Sequence, residues 1–191
     1  MSKIEEKIYE EVKRRCSLPS NTYGIGAWDH HIKLVYDLAK KNYKKYNAKR
    51  EIVVLAALLH DIASVTNKDY TENHHIIGAD IAEELLKKEN YPEVEINQVK
   101  TCILNHRGSV LKEKNTPEEV CIADCDAMAH FYAVPSLLSM VYKEKGLSID
   151  DGADFVLKKL ERSYKKLSDI GKREVKEHYD AAVKILTSYK M

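Results

Sequence analysis

Residues 52–61 read IVVLAALLHD, and this stretch decides the fold. Eight consecutive apolar side chains leave no polar face, so the segment is expected inside the protein core. It ends in an imidazole and a carboxylate, His60 and Asp61, and burying such a pair is costly unless a partner replaces the lost water. A divalent metal ion is a suitable partner, because neutral imidazole and carboxylate oxygen are both good ligands for such ions.

Length and charge restrict the class of protein. A chain of 191 residues is long enough for one domain with a full hydrophobic core. The 31 Lys and Arg residues nearly balance the 30 Asp and Glu residues, which argues against bulk electrostatic binding to nucleic acid or to an anionic membrane. No apolar run approaches the length of a transmembrane helix, and the charged N-terminus lacks the apolar core of a signal peptide. The four cysteines form no metal or redox motif, and the apolar neighbours of Cys102, Cys121 and Cys125 predict plain buried thiols, so we expect a cytoplasmic protein.

Helical patterns follow one another along the chain, with few Gly or Pro and no hairpin signal. They predict an all-α fold, a single globular bundle of about seven to eight helices. One of these helices is expected to bend near Pro135. The predicted helices cover residues 3–16, 27–46, 50–65, 73–89, 92–106, 117–145, a segment capped at Ser148, and 172–189.

The histidines are concentrated in one part of the chain, since seven of the eight lie between positions 30 and 130. Four of them fall on, or at the end of, four different apolar helices: His31, His60, His75 and His106. A set of metal or catalytic ligands drawn from the core of a helical bundle has this distribution along the sequence.

Five segments together resemble the HD-domain superfamily of metal-dependent phosphohydrolases. That family places a His on one helix, a His-Asp pair on the next long apolar helix, and an Asp further along the chain. It also tends to place a His ahead of a Gly-Ala pair and a further His at the end of a later helix. The matching segments are WDHHIKLV at 28–35, ALLHDI at 57–62, HIIGA at 75–79, NHRGS at 105–109 and DCDAM at 124–128.

The resemblance also implies how the chain is organised. It predicts a single HD domain over residues 1–191, whose motif-bearing core lies at about 27–135. The C-terminal helices, residues 148–190, are expected to pack on that core.

The resemblance implies a metal site whose ligands are His31, His60, Asp61 and Asp126. Imidazole and oxygen ligands together suit Mn, Fe, Co, Ni, Zn or, less well, Mg. Such an ion would activate water for attack on phosphorus and polarise the phosphoryl group. His75 and His106, with Asp61, are the candidate catalytic residues, which would contact the phosphate or protonate the leaving oxygen. The two histidines could instead hold a second metal ion with Asp61 as the bridge, so one or two ions remain open.

Basic side chains near these motifs are expected to meet the substrate phosphate. Arg107 directly follows His106, and Lys112 lies in the same loop; a guanidinium fork matches the geometry of a phosphate. The family often carries Arg three residues after the first metal His, but here Leu34 stands at that position with Lys33 beside it. The candidate substrate-binding residues are therefore Arg107, Lys112 and Lys33.

Two ligand assignments rest on a choice between close neighbours. His31 fits the family pattern better than His30, which would otherwise be a surface or supporting residue. Asp126 fits better than Asp124, and side chains two positions apart on a helix do not face the same way. Asp124 is then expected to support the site or to be a charge on the helix surface.

The remaining histidines and the tyrosines have simpler expected places. His74 is expected to be exposed beside His75, and His130 to be a neutral residue of the core or of an interface. The twelve tyrosines are assigned to packing, and a homodimer formed through some of them remains open.

The sequence therefore predicts a metal-dependent phosphohydrolase that cleaves a phosphate ester or anhydride. Its partner is expected to be a small phosphorylated substrate, by resemblance a nucleotide, with no membrane and no bulk nucleic-acid binding. Two alternatives stay open: a dinuclear iron oxygenase on the same fold, and a non-catalytic sensor that binds a nucleotide. The hydrolase is favoured because no other feature of the sequence suggests redox chemistry.

Overall fold

The computed structural model describes residues 1–24, 26–106 and 113–188, and these residues form helices joined by connecting segments, without a β-strand. The predicted all-α fold is confirmed. The α-helices of the described residues are α1 (Lys3–Cys16), α2 (Lys33–Asn42), α3 (Arg50–Leu59), α4 (Ile62–Thr66), α5 (His74–Lys88), α6 (Glu93–Asn105), α7 (Pro117–Tyr132), α8 (Val134–Lys143), α9 (Ile149–Lys166) and α10 (Asp169–Thr187). A π-helical turn, Trp28–Ile32, runs directly into α2, and short 3-10 turns follow α2 and α4.

The described residues contain more helices than the predicted seven or eight, because two predicted helices are interrupted. The predicted helix 50–65 stops at Leu59 and resumes at Ile62, so His60 and Asp61 lie in a break between α3 and α4. The predicted helix 117–145 is divided into α7 and α8 at Ala133. Pro135, at the start of α8, has no N–H group with which to continue the hydrogen-bond ladder of α7.

Helix α3 is the centre of the bundle. Its residues 52–59 are each at most 1% exposed, as the apolar run predicts. Helices α1, α2, α5, α6 and α7 pack around it. Full burial of one Leu or Ile side chain contributes about 1.5 to 3 kcal/mol, so this helix fixes the positions of its neighbours and of the His-Asp pair at its end.

Helix α1 is attached to α3 and α2 by the carboxylate of Glu5, which is fully buried. Both terminal nitrogens of the Arg50 guanidinium donate hydrogen bonds to it at 3.0 Å. The Tyr36 hydroxyl donates a third at 2.6 Å. A buried carboxylate held by a bidentate guanidinium and a hydroxyl has its lost hydration replaced by strong, directional hydrogen bonds. The contact therefore sets how α1 lies against the core.

Helix α10 is attached to α7 through the buried carboxylate of Asp124. The Tyr46 hydroxyl donates to it at 2.8 Å, the backbone N–H of Ser168 donates at 3.1 Å, and the Ser168 hydroxyl donates as well. Ser168 is the N-cap of α10, so the carboxylate lies at the positive end of that helix dipole. A Cβ atom at Gly171 would lie 2.5 Å from the carboxylate, which explains why glycine stands there.

Two further expectations concern the cysteines and membrane spans. Cys16, Cys102, Cys121 and Cys125 are all buried and unbridged, as expected for plain thiols. Within the described residues, no helix is both long enough and apolar enough to cross a bilayer.

Replacing Glu5 with Gln is expected to lower the free energy of unfolding by about 2 to 3 kcal/mol, because the Arg50 guanidinium loses a charged acceptor. Burial would raise the pKa of Glu5, but hydrogen bonds from Arg50 and Tyr36 outweigh burial and hold the pKa below its ordinary value. The stabilisation is therefore complete above the ordinary carboxyl pKa and is lost as the pH falls through the lowered value. The difference between wild type and variant should shrink as the pH falls below the ordinary carboxyl pKa and through the lowered one.

Urea denaturation followed by circular dichroism across this pH range measures the effect. Glu10→Gln, which removes an exposed carboxylate from the same helix, is the matched control. An equal loss of stability in both variants, or a difference independent of pH, would contradict the assigned role of Glu5.

Candidate metal centre

Six side chains from six segments meet where α3 ends. Each of them lies at a helix terminus, in a break or on a turn, except for one carboxylate in the middle of α7. They are His31 of the π-helical turn, His60 at the end of α3, Asp61 between α3 and α4, His74 at the start of α5, His106 after α6, and Asp126 of α7. π-Helical turns within helices are found frequently at functional sites.

The first group of ligand atoms surrounds the Nε2 atom of His31. That atom lies 3.2 Å from Nε2 of His60, 3.4 Å from Oδ1 of Asp126 and 3.5 Å from Oδ2 of Asp61. Two imidazole nitrogens and two carboxylate oxygens therefore converge on one small volume. His60 is fully buried, whereas His31 and Asp126 are each 21% exposed, so solvent reaches this group through His31 and Asp126.

The second group lies on the other side of Asp61. Its Oδ1 atom is 3.7 Å from Nε2 of His74 and 3.9 Å from Nε2 of His106. Since Oδ2 faces His31 and His60, the two oxygens of one carboxylate face two different pairs of imidazoles. This is the arrangement expected of a carboxylate shared between two sites.

The break after α3 explains how neighbouring residues can both face the site. In a continuous α-helix, consecutive side chains point about 100° apart. Here the helix stops at Leu59, and Nε2 of His60 lies only 3.5 Å from Oδ2 of Asp61. A His-Asp pair inside an unbroken helix would send one of its two side chains into the apolar core.

Three of the histidines are oriented in the same way. The Nδ1–H groups of His60, His74 and His106 each donate to the carbonyl oxygen three residues earlier, at 2.7, 2.8 and 2.5 Å respectively. A carbonyl can only accept, so each of these rings carries its proton on Nδ1, and in the neutral ring Nε2 is left as the free base. Burial and the charge of His60 lower the pKa of His106 to about 4, which keeps its ring neutral at physiological pH. Fixing the tautomer through the outer nitrogen is how proteins prepare histidine ligands for metal ions.

The charges of the first group stabilise one another. Burial would lower the pKa of His31, but hydrogen bonds to Asp126 and Asp61 outweigh it and raise the pKa to about 10. Burial would also raise the pKa values of the two carboxyl groups, but His60 acting on Asp61, and His31 acting on Asp126, hold both well below the ordinary value. His31 therefore holds a proton at neutral pH where the two carboxylates converge, so the pocket favours positive charge.

This donor set suits a divalent metal ion. The ligand atoms of His31, His60 and Asp126 lie within 4.8 Å of one another, and those of Asp61, His74 and His106 form a second such group. Atoms bonded to one ion at about 2.1 Å lie about 3 to 3.5 Å apart, close to the separations around His31. Mixed imidazole and carboxylate ligands suit Mn, Fe, Co, Ni or Zn.

For both metal-ligand assignments that rested on a choice between close neighbours, the favoured residue lies in the cluster and its neighbour does not. His30 is exposed and its ring lies against Gly26, whereas His31 faces the two carboxylates. Asp124 is neither a surface charge nor part of the cluster, because its carboxylate is buried against α10. The assignment of His31 and Asp126 as metal ligands stays a prediction that this placement supports.

The other predicted site residues are placed differently. His75 lies on α5 outside both ligand groups, next to His74, with the two ring centroids 5.7 Å apart. Lys33 pairs on the surface with Asp37 at 2.7 Å. Arg107 and Lys112 lie outside the described residues. The roles predicted for these four residues in catalysis or in substrate binding stay predictions.

Sequence reasoning missed three residues at this site. His74, expected to be exposed, is half-buried beside Asp61, and the only available signal was its place next to His75 at a helix start. The ring of His130 stacks on that of His31, with centroids 5.6 Å apart. Burial and the charge of Lys159 lower the pKa of His130 to about 3, so it is neutral, as predicted. Desolvation of its hydroxyl and the charge of Asp61 raise the pKa of Tyr23, a loop residue that no pattern singles out, although 39% of the residue as a whole is exposed.

Comparison with known proteins adds two findings. The family model for the HD domain matches residues 28–130, which is more than half of the chain. Among solved structures, the fold is similar to that of YpgQ from Bacillus subtilis, crystallised in complex with ADP. The TM-score is 0.71 at 20% sequence identity, and the match covers 97% of this chain and 96% of that one, so it shows a shared fold. No curated protein matches this chain by sequence.

Asp126→Asn and Asp124→Asn are expected to change different properties, the first the metal content and the second the stability of the protein. The first should lose bound metal, because a charged ligand oxygen is removed from the first group. The second should keep its metal but unfold more easily, by about 2 kcal/mol or about 4 to 8 °C in Tm, since an amide NH2 group replaces one of the two charged oxygens that accept from Ser168 and Tyr46. Elemental analysis after loading with Mn²⁺, together with thermal unfolding, measures both. Loss of metal from the Asp124 variant alone would refute the assignment.

His74→Ala and His75→Ala form a second matched pair. Loss of the His74 imidazole is expected to weaken metal binding at the second group by at least about 10-fold. His75→Ala should keep the full metal content, and it should lose turnover if His75 contacts the substrate as the sequence predicts. Titration with Mn²⁺ followed by elemental analysis, beside an activity assay, separates the two roles. A metal deficit in the His75 variant and none in the His74 variant would reverse them.

Proposed function

Because this chain belongs to the HD-domain family, a family of metal-dependent phosphohydrolases, we propose that it hydrolyses a phosphate ester or anhydride bond. The proposed substrate is a nucleotide or another small phosphorylated metabolite. The observation that supports this most directly is the position of Asp61, whose two oxygens face imidazoles on both sides. In the proposal the metal ligands are His31, His60, Asp61 and Asp126.

In this proposal, the metal ion and the protein side chains contribute different parts of the hydrolysis. A divalent ion bound here would supply positive charge that polarises a phosphoryl group and makes a water molecule more acidic. Asp61 stays ionised far below neutral pH, so its carboxylate can bind a cation and accept a hydrogen bond that orients the attacking water. His106 is neutral, and its Nε2 atom is free to accept a hydrogen bond or to bind an ion.

A specific observation favours a two-ion version of the site. His74 and His106 direct Nε2 atoms at the Asp61 oxygen that His31 and His60 do not face. In this version His74, His106 and Asp61 would hold the second ion, and Asp61 would serve the first ion as well. A second positive charge at the site would further polarise the phosphoryl group.

The proposal of a nucleotide substrate draws on the shared fold. YpgQ, which has the same fold over nearly its full length, was crystallised with ADP. His31 and Asp126 are each partly exposed, so a phosphate on a larger molecule can approach the first group of ligand atoms through them. The metal ion is expected to bind before the phosphate, because the negative charges of Asp61 and Asp126 alone would repel a phosphate group.

A screen of phosphorylated metabolites tests the proposal. Nucleoside mono-, di- and triphosphates and sugar phosphates are each incubated with Mn²⁺, Co²⁺, Ni²⁺, Mg²⁺ or Zn²⁺, and phosphate or pyrophosphate release is measured. At least one nucleotide is expected to be cleaved. Asp61→Ala should lower the rate to the uncatalysed background and remove bound metal together.

His30→Ala is the matched control, because His30 is exposed beside His31 and should keep both metal and activity. Wild-type metal content or wild-type turnover in the Asp61 variant would refute the site. Two bound irons together with oxygen uptake, and no phosphate release with any metal, would replace the hydrolase by an oxygenase. Tight nucleotide binding without turnover under any metal would replace it by a sensor.

A further inference from the structure

Helix α9 carries a row of basic residues on one face. Lys159, Arg162 and Lys166 stand at positions i, i+3 and i+7, which lie above one another on an α-helix. Lys159 is half-buried, whereas Arg162 and Lys166 are exposed. The row lies beyond residues 28–130, the part of the chain that the family model matches. Its length along the helix axis is about 10 Å.

This basic row borders the metal centre. Helix α9 packs against α7, which carries Asp126 and, one turn later, His130. The charges that act on Lys159 include those of Asp126 and Asp61, and the charge of Lys159 in turn acts on His130. Since the His130 ring stacks on that of His31, the charge of Lys159 lies within electrostatic range of the first ligand group. Asp126 also acts on Lys166, so the C-terminal end of the row is within electrostatic range of the same centre.

The basic row has no carboxylate partner within the described residues. Neither Lys159, Arg162 nor Lys166 has an ion pair or a side-chain hydrogen bond there, whereas Lys33, Lys87 and Lys176 each pair with an acid four residues away. The positions three and four residues from Arg162 are all lysine: Lys158, Lys159, Lys165 and Lys166. Lys114, from the segment before α7, adds another positive charge near Lys166.

Such a row is unfavourable for the helix itself. Like charges three or four residues apart destabilise a helix by about 0.2 to 0.5 kcal/mol per pair. Burial, opposed by the charge of Asp126, lowers the pKa of Lys159. The pKa of Lys166, whose side chain is exposed, is lowered by partial desolvation of its ammonium group and by the charge of Arg162. By contrast, Lys158 and Lys165 have Glu161 at helical spacing. The face of α9 whose basic residues lack an acidic neighbour is therefore the one that borders the metal centre. An anionic ligand there would offset the repulsion among these positive charges.

We propose that Lys159, Arg162 and Lys166 bind the phosphate groups of the substrate that lie next to the one being cleaved, so that the site selects molecules with two or more linked phosphates. This proposal rests on the proposed function, because the cleaved phosphate occupies the metal centre. One phosphate cannot contact both ends of the row, whereas a chain of two or three can. An Arg between two Lys residues supplies a planar fork for two oxygens of one phosphate.

Equilibrium binding to the full-length protein tests this subsite. Isothermal titration calorimetry with Mn²⁺-loaded protein compares AMP with α,β-methylene-ADP, whose phosphate bridge resists hydrolysis. Wild type is expected to prefer the methylene-ADP. Lys159→Gln and Arg162→Gln should each weaken methylene-ADP binding on the order of 10-fold, the effect of one charge-assisted hydrogen bond, and should change AMP binding much less.

Lys158→Gln removes a charge from the exposed side of the same helix and should leave both affinities unchanged. Lys159→Arg should restore most of the preference that Lys159→Gln loses. If burial of Lys159 makes its Gln variant unstable, the exposed Arg162 still tests the row. A wild type that binds methylene-ADP no better than AMP, or variants that keep the preference, would overturn the proposal. Equal losses for both ligands would also overturn it.

The two proposals can fail separately. If the metabolite screen finds no cleavage with any metal while wild type prefers methylene-ADP and the α9 variants lose that preference, the hydrolase proposal fails and the phosphate subsite stands. If nucleotides are cleaved but the α9 variants discriminate as wild type does, the subsite fails and the hydrolase stands.

Discussion

The carboxylate of Asp61 faces imidazoles on both of its sides, with one oxygen 3.5 Å from His31 and His60 and the other 3.7 and 3.9 Å from His74 and His106. A buried carboxylate without such partners would cost several kcal/mol. The segments that supply the imidazoles are the π-helical turn, the end of α3, the start of α5 and the end of α6. The place where these four segments meet therefore depends on the charge of Asp61 as well as on apolar packing.

Rigidity around Asp61 comes from two sources with different physics. The apolar run of α3 is buried on every side, so the position of His60 at its end is fixed by packing. The imidazoles are fixed by hydrogen bonds from Nδ1 to carbonyl oxygens of their own chain segments. Neither source requires an ion to be present. The ligand atoms are thus oriented in advance, which lowers the entropic cost of binding a metal or a substrate.

Much of this could be predicted from the sequence because it follows from local patterns. The apolar run of 52–59 predicted a buried helix, and the ordered His and Asp segments predicted that His31, His60, Asp61, His106 and Asp126 would lie close together, although they favoured His75 where the structure has His74. The break at His60 was not predicted, because a helix that stops without Gly or Pro leaves no local signal. His74 and Lys159 were missed for a different reason. The positions of these two side chains depend on how α5 is rotated about its own axis and on how α9 packs, and only tertiary contacts determine both.

Two anchors of the site lie outside the segment that defines the family. Glu5 precedes residue 28, and Ser168, which donates to Asp124, follows residue 130. A fragment cut at those limits would leave the guanidinium of Arg50 and the carboxylate of Asp124 facing water or apolar surface without their partners. The family-defining segment, residues 28–130, is therefore not independent of the rest of the chain, and any shortened version of the protein has to keep both flanking contacts.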